Sequence, residues 1–180
     1  KFPTFFRKPL KVLEYIGEGK WLDGTDYTYI SSKEKINNEG YKNGVRRISS
    51  FVDAEALYLG TFQDESFVDY KLDASESTMY IRYSATEELL IELYINGKKY
   101  PVKLPEAKAP ATIKFECDEA FNEFRLYSKG GEGYIDGFSL GSNPPSFYDY
   151  TKDFTPEITK GEKSVTLKYK YASYEITWDY

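Results

Sequence analysis

Hydrophobic and polar positions alternate with a period of two along most of this chain. Val68, Tyr70 and Leu72 share one phase, as do Met79, Ile81 and Tyr83, and then Leu89, Ile91, Leu93 and Ile95. Side chains two residues apart lie on the same face of a β-strand, so each run reads as a strand with one buried face. No helical period is visible anywhere. The runs are short, and turn formers recur at roughly ten-residue spacing, which predicts an all-β, antiparallel sandwich or barrel.

Read in order, Pro3 and Pro9 break any helix near the start, and Lys11 to Ile16 forms a first strand. Asp23-Gly24 marks a turn, after which Tyr27 and Tyr29 share one side of a short strand. Residues 31–44 read as a long exposed loop. VRRISSFVDAEALYLG is a strand pair or edge segment. Asn96-Gly97 is a hairpin turn, and Pro101 in the returning strand predicts an edge position. ATIKFEC follows. FNEFRLYSKGGEGYIDGFSLG, from Phe121 to Gly141, then reads as two strands around a glycine-rich turn, with Phe124 and Leu126 on one face going in and Phe138 and Leu140 coming out. Asp136 precedes that last apolar pair, where a core-facing carboxylate is costly unless a cation or several donors hold it. Gly141 to Pro145 reads as a strand terminator and linker, dividing the chain into 1–142 and 143–180. Val165 to Trp178 alternates again as a hairpin, docked on the sandwich or opening a following module.

Composition narrows the function. The chain has 180 residues, enough for one generous domain, and 41% are hydrophobic, which excludes disorder throughout. A net charge of −5, from 24 basic and 29 acidic residues, argues against binding nucleic acid through clustered Lys and Arg. No apolar run approaches the roughly 20 residues of a membrane helix. The chain has no His, which removes Ser-His-Asp and Cys-His catalysis and most zinc sites. Cys117 continues the phase of Ile113 and Phe115 and reads as a small buried hydrophobe. The first residue is Lys, so the chain reads as an excised or processed segment. Aromatic residues reach 18%, with 18 Tyr and 12 Phe. Tyr offers a stacking face and a hydroxyl, suited equally to a sugar-binding surface and to a β-sandwich core.

Four motifs, in order, carry a resemblance. FVDAEA at 51–56 has two acidic side chains one residue apart. FVDYKLD is followed by STMYIRYSA with its Arg-Tyr ending. IELYINGKKYPVKLP is a strand, an Asn-Gly turn and a strand, and FNEFRLYSKGGEGYIDGFSL supplies the last two strands. The series resembles the carbohydrate-binding modules of families 6 and 35, in the galactose-binding-like group, over about residues 51–142. Residues 1–50 and the C-terminal hairpin fall outside that pattern. The resemblance implies a jelly-roll sandwich and a non-catalytic module of an extracellular bacterial polysaccharide-active enzyme. It further implies a poly- or oligosaccharide ligand, the parent enzyme in cis, a monomer, and a structural calcium ion held by Asp53, Glu55 and Asp136. Calcium chemistry fits independently, since the ion takes several carboxylate and carbonyl oxygens and residues at i and i+2 share a strand face. Surface carboxylates of an acidic protein are the other reading of those three residues.

In the resembled modules, glycans bind mainly at loops, with aromatic rings stacked on sugar faces. The candidates here are Trp21, Tyr27, Tyr29, Tyr41, Tyr58, Phe62, Tyr127 and Glu132, with Trp21 foremost because it adjoins a turn. Core packing is the alternative for each. Catalysis by paired carboxylates is disfavoured, because adjacent acids such as Asp64-Glu65, Glu87-Glu88 and Asp118-Glu119 point to opposite strand faces. A structural spacer or surface-adhesion domain is the alternative function.

Overall fold

The computed structural model describes residues 13–31, 44–47, 51–52, 55–60, 66–150, 153, 155–170 and 172–179. The described residues form fourteen strands: β1 (Leu13–Tyr15), β2 (Lys20–Asp23), β3 (Tyr29–Ile30), β4 (Gly44–Arg47), β5 (Glu55–Leu59), β6 (Phe67–Ala85), β7 (Leu89–Ile95), β8 (Lys98–Leu104), β9 (Ala107–Gly130), β10 (Gly133–Leu140), β11 (Phe147–Asp149), β12 (Glu157–Lys160), β13 (Ser164–Lys168) and β14 (Ser173–Thr177). All pairings are antiparallel. The order β4-β5-β10-β6-β9-β7-β8 makes the main sheet, with β2 also on β10 and β3 on β6.

Two long strands turn this sheet into a sandwich. FVDYKLD and MYIRYS are one continuous strand, β6, and ATIKFEC and FNEFRLYS are another, β9. No Gly or Pro stands at Ala74–Ser77 or Asp118–Ala120, so each chain bends without breaking. The register irregularities between Lys71 and Glu76 and between Glu76 and Thr78 mark that bend. The first half of β6 pairs with the last part of β9, and with β3, β7 and β8 these make one layer. The second half of β6 pairs with the first part of β9 and with β10, and β5, β2 and β4 complete the other layer.

The inner faces meet on aromatic rings. Phe138 of the second layer stands 4.9 Å from Tyr70 and 5.0 Å from Phe124 of the first, both edge-on, the arrangement that ring quadrupoles favour. Leu57, Leu59, Met79, Ile81, Leu89, Ile91, Leu93 and Ile135 surround them, all buried. The phases read from the sequence are therefore the core-facing ones. Asn96 (φ 49°) and Gly97 (φ 79°) form the β7–β8 turn as expected, both in the left-handed region that a two-residue hairpin requires. Pro101 lies on β8, the end strand of the order.

Four expectations need correction. β9 and β10 do not pair with each other; both flank β6, and Gly131 (φ 79°) turns the chain from one layer to the other. Tyr27 lies outside β3 and is half-buried against the core, so it does not share a strand face with the exposed Tyr29. Cys117 is half-buried, with Sγ 3.4 Å from the Tyr100 hydroxyl, at the edge of the core. The C-terminal hairpin gains a third strand, β12, from a segment that reads as turns, because Ile158 is its only large apolar residue. The segment after Gly141 also returns to the sandwich through β11, which pairs with β1.

Candidate functional site

While Val68, Tyr70 and Leu72 of β6 and Phe124 and Leu126 of β9 face the core, the positions alternating with them build the outer surface of the first layer. Phe67, Asp69 and Lys71 of β6 lie there with Glu123, Arg125 and Tyr127 of β9. Register brings them into rows that cross the strands. Tyr29, Asp69, Arg125, Tyr94 and Lys99 make one row, and Phe67, Tyr127, Glu92 and Pro101 the next. Cross-strand neighbours on one face approach closely enough to act as a unit.

The chemistry of this surface is aromatic and polar at once. The Phe67 ring lies between those of Tyr29 and Tyr127, at 5.8 and 5.7 Å between centroids. The Arg125 guanidinium caps it at 3.7 Å and donates to both oxygens of Asp69, at 2.7 and 3.1 Å. This bidentate fork fixes the arginine in place, and its hydrogen bonds raise an already high pKa, so Arg125 stays charged. Tyr29 is 55% exposed and Tyr94 41%, so these two rings offer their surfaces to solvent. Beside them is a groove of about 530 Å³, bordered by Thr28, Asp69, Lys71, Tyr94, Asn96 and Arg125 among others. Further along the sheet, Glu92 Oε1 is buried with no hydrogen-bond donor in reach, and the ammonium groups of Lys129 and Lys99 stand 3.8 and 4.0 Å away.

Of the residues expected from the sequence, Tyr29 and Tyr127 come together on this surface. Tyr58 is buried in the second layer, its ring 5.3 Å from Tyr134. Glu132 is half-buried in the turn between the layers. Trp21 is on the opposite side of the molecule, over the outer face of β10. Its ring stacks on Tyr15 at 5.3 Å, meets Phe147 edge-on at 5.3 Å, and its Nε1 donates to Asp23 at 2.8 Å. A Cβ on Gly137 would lie 2.4 Å from the Trp21 ring, so the indole rests directly on the strand. Tyr41, Phe62 and Asp53 lie outside the described residues. Phe67, Asp69, Glu92, Tyr94 and Arg125 escaped the sequence reading, although the aromatic and charged residues on the polar phase of β6, β7 and β9 carried the signal.

Asp136 is fully buried in β10, where the register against β6 shifts between Ile135 and Gly137. Its Oδ1 accepts the Val52 N–H at 3.0 Å, and its Oδ2 accepts from Arg82 Nη1. Glu55 is half-buried at the start of β5. Each oxygen of Asp136 thus already accepts a donor, and a guanidinium, which carries donors only, cannot itself ligate a metal. Among the described residues, no three acidic or other metal-binding side chains stand together.

No family model matches the chain, and neither does any curated protein. Solved structures do match. A family 6 carbohydrate-binding module, whose binding sub-sites were dissected by crystallography and calorimetry, superposes with a TM-score of 0.52 at 8% identity. The match covers 69% of this chain and 95% of that one. The fold is that of a carbohydrate-binding module. A second such structure, from Clostridium stercorarium in complex with cellobiose, matches at TM-score 0.50 and 9% identity, again over 69% and 95% of the two chains. The Agl-KA catalytic domain matches at TM-score 0.50 and 10% identity, over 79% of this chain and 30% of that larger one. At these identities the likeness concerns the fold.

Proposed function

We propose that this module binds a carbohydrate chain, without catalysis, on the outer face of the first layer. The observation that carries the reading is the exposed row of Tyr29 and Tyr94 on either side of the fixed Asp69–Arg125 pair. Aromatic rings stack on the apolar faces of sugar rings, and oriented carboxylate and guanidinium groups hydrogen-bond hydroxyls. The strands hold these groups rigidly, so little order is lost on binding. The surface lies on strands and not on the loops that the sequence pointed to.

The module acts in cis to an extracellular, bacterial polysaccharide-active enzyme, as a monomer. Attachment to an enzyme is supported by the Agl-KA match, in which the similar part is 30% of a larger catalytic chain. Asp69 is locked to Arg125, so the groove's best-placed carboxylate serves for positioning and not as a free acid or base. Affinity electrophoresis and calorimetry against plant, algal and host glycans test the reading. Retardation by one glycan class, with no release of reducing sugar, is the expected result. No binding across the panel would leave a structural spacer or adhesion domain.

A further inference from the structure

The cation facing Asp136 belongs to the chain itself. We propose that the Arg82 guanidinium fills the position that the sequence resemblance gives to calcium, so that the Arg82–Asp136 pair ties β6, β10 and the Phe51–Val52 segment together without an ion.

Both partners are placed by the sheet. Arg82 is on the outward phase of β6, between the core residues Ile81 and Tyr83, and pairs in register with Gly137. The bulge before Gly137 leaves Asp136 beside it. The far edge of β10 is shared at the same point, with β5 along Gly133–Ile135 and β2 along Gly137–Leu140. Asp136 thus stands where the two strands part, its carbonyl accepting the Gly24 N–H at 2.8 Å and its carboxylate reaching Val52.

The surroundings suit a guanidinium better than a hydrated ion. The Phe147 and Phe51 rings lie 4.8 and 5.5 Å from Arg82 Cζ, and the arginine side chain is only 12% exposed. Guanidinium is planar and weakly hydrated and stacks on aromatic faces, whereas calcium requires six to eight oxygens. A second cation at this carboxylate would meet the fixed charge of Arg82 at close range in a region shielded from water. Through Phe147 the same arginine also packs against β11, which carries β1.

Thermal unfolding of the whole chain at mildly alkaline pH, in calcium chloride and separately in EGTA, tests the proposal together with equilibrium dialysis against calcium. Coincident midpoints and no stoichiometric retention of the ion are expected. A midpoint that drops in EGTA and returns with calcium, or a stoichiometrically retained ion, would overturn it. At the same mildly alkaline pH, Arg82→Met should lower the urea midpoint by leaving a buried carboxylate without its cation, and adding Asp136→Asn should recover part of that loss. A double variant no more stable than Arg82→Met would also count against the pair. If Arg82→Met does not fold, the calcium and EGTA comparison on the unaltered chain decides.

Discussion

At the scale of the residue, two positions show how much one side chain sets. Phe138 has no exposed surface and holds edge contacts to both Tyr70 and Phe124 across the sandwich. Phe138→Ala removes both contacts and leaves a cavity between layers that cannot close on it. We expect a loss of about 3–5 kcal/mol in urea unfolding. Asp136 makes a pH-dependent contribution of its own. Burial pushes its carboxyl from the ordinary value near 3.8 up to about 7, with Asp23 adding to the rise, while Arg82 and the Val52 amide pull the other way. The folded state therefore holds this proton more tightly than the unfolded chain between those values. The group's contribution to stability is complete below the unfolded value and is lost as pH rises through about 7. The unaltered protein should lose stability relative to Asp136→Asn across that window, read as the difference between their melting temperatures. A difference that does not change with pH would refute this assignment. A buried pair that costs stability when ionised still fixes geometry, which is what the junction of β2, β5 and β10 requires.

At the scale of the element, Gly131 and the C-terminal sheet make separate predictions. Gly131 has φ of 79°, and a Cβ there would lie 2.1 Å from the Glu88 carbonyl oxygen. Gly131→Ala is expected to destabilise the turn between layers by about 2 kcal/mol or more, combining strain and overlap. Gly97 has the same φ but open space around it, so Gly97→Ala should cost less, about 1 kcal/mol. The contrast between the two separates clash from backbone strain in one denaturation series. Strands β12, β13 and β14 contribute nothing to the main core, and Ile158, Tyr174 and Ile176 on them are more than half exposed. Deleting residues 155–180 should leave the sandwich transition in place. A collapse of that transition would show that the sheet supports the sandwich.

At the scale of the whole molecule, the two outer faces of the sandwich differ. The outer face of the second layer is covered by Tyr15, Trp21 and Phe147, which close over β10. The outer face of the first layer carries Tyr29 and Tyr94 in the open. Tyr29→Ala or Tyr94→Ala should weaken glycan binding by about 1 kcal/mol each, roughly five-fold in affinity, with an unchanged melting temperature. Trp21→Ala should do the reverse, lowering the melting temperature while leaving affinity near that of the unaltered chain. Calorimetry and thermal unfolding on the same three variants check both statements.

The alternating sequence alone was enough for the strand segments that build the core, from Phe67 to Leu140, with their buried faces, and for the β7–β8 turn; it missed β2 and β12. Those segments and that turn follow from the two-residue period and from the local conformational needs of Asn96 and Gly97, neither of which depends on distant residues. Alternation tells which side of a strand is buried but not which strand lies beside it. Only the tertiary structure therefore decided that β9 and β10 flank β6 instead of pairing, and that β6 and β9 serve both layers. The same limit hid the surface that gathers Tyr29, Asp69, Tyr94, Arg125 and Tyr127 from four strands, each a plain polar-phase residue in its own segment. It also hid the partner of Asp136. The need for a cation was legible from a carboxylate in an apolar run, but 54 residues separate Asp136 from Arg82, and only the register of β6 against β10 brings them together.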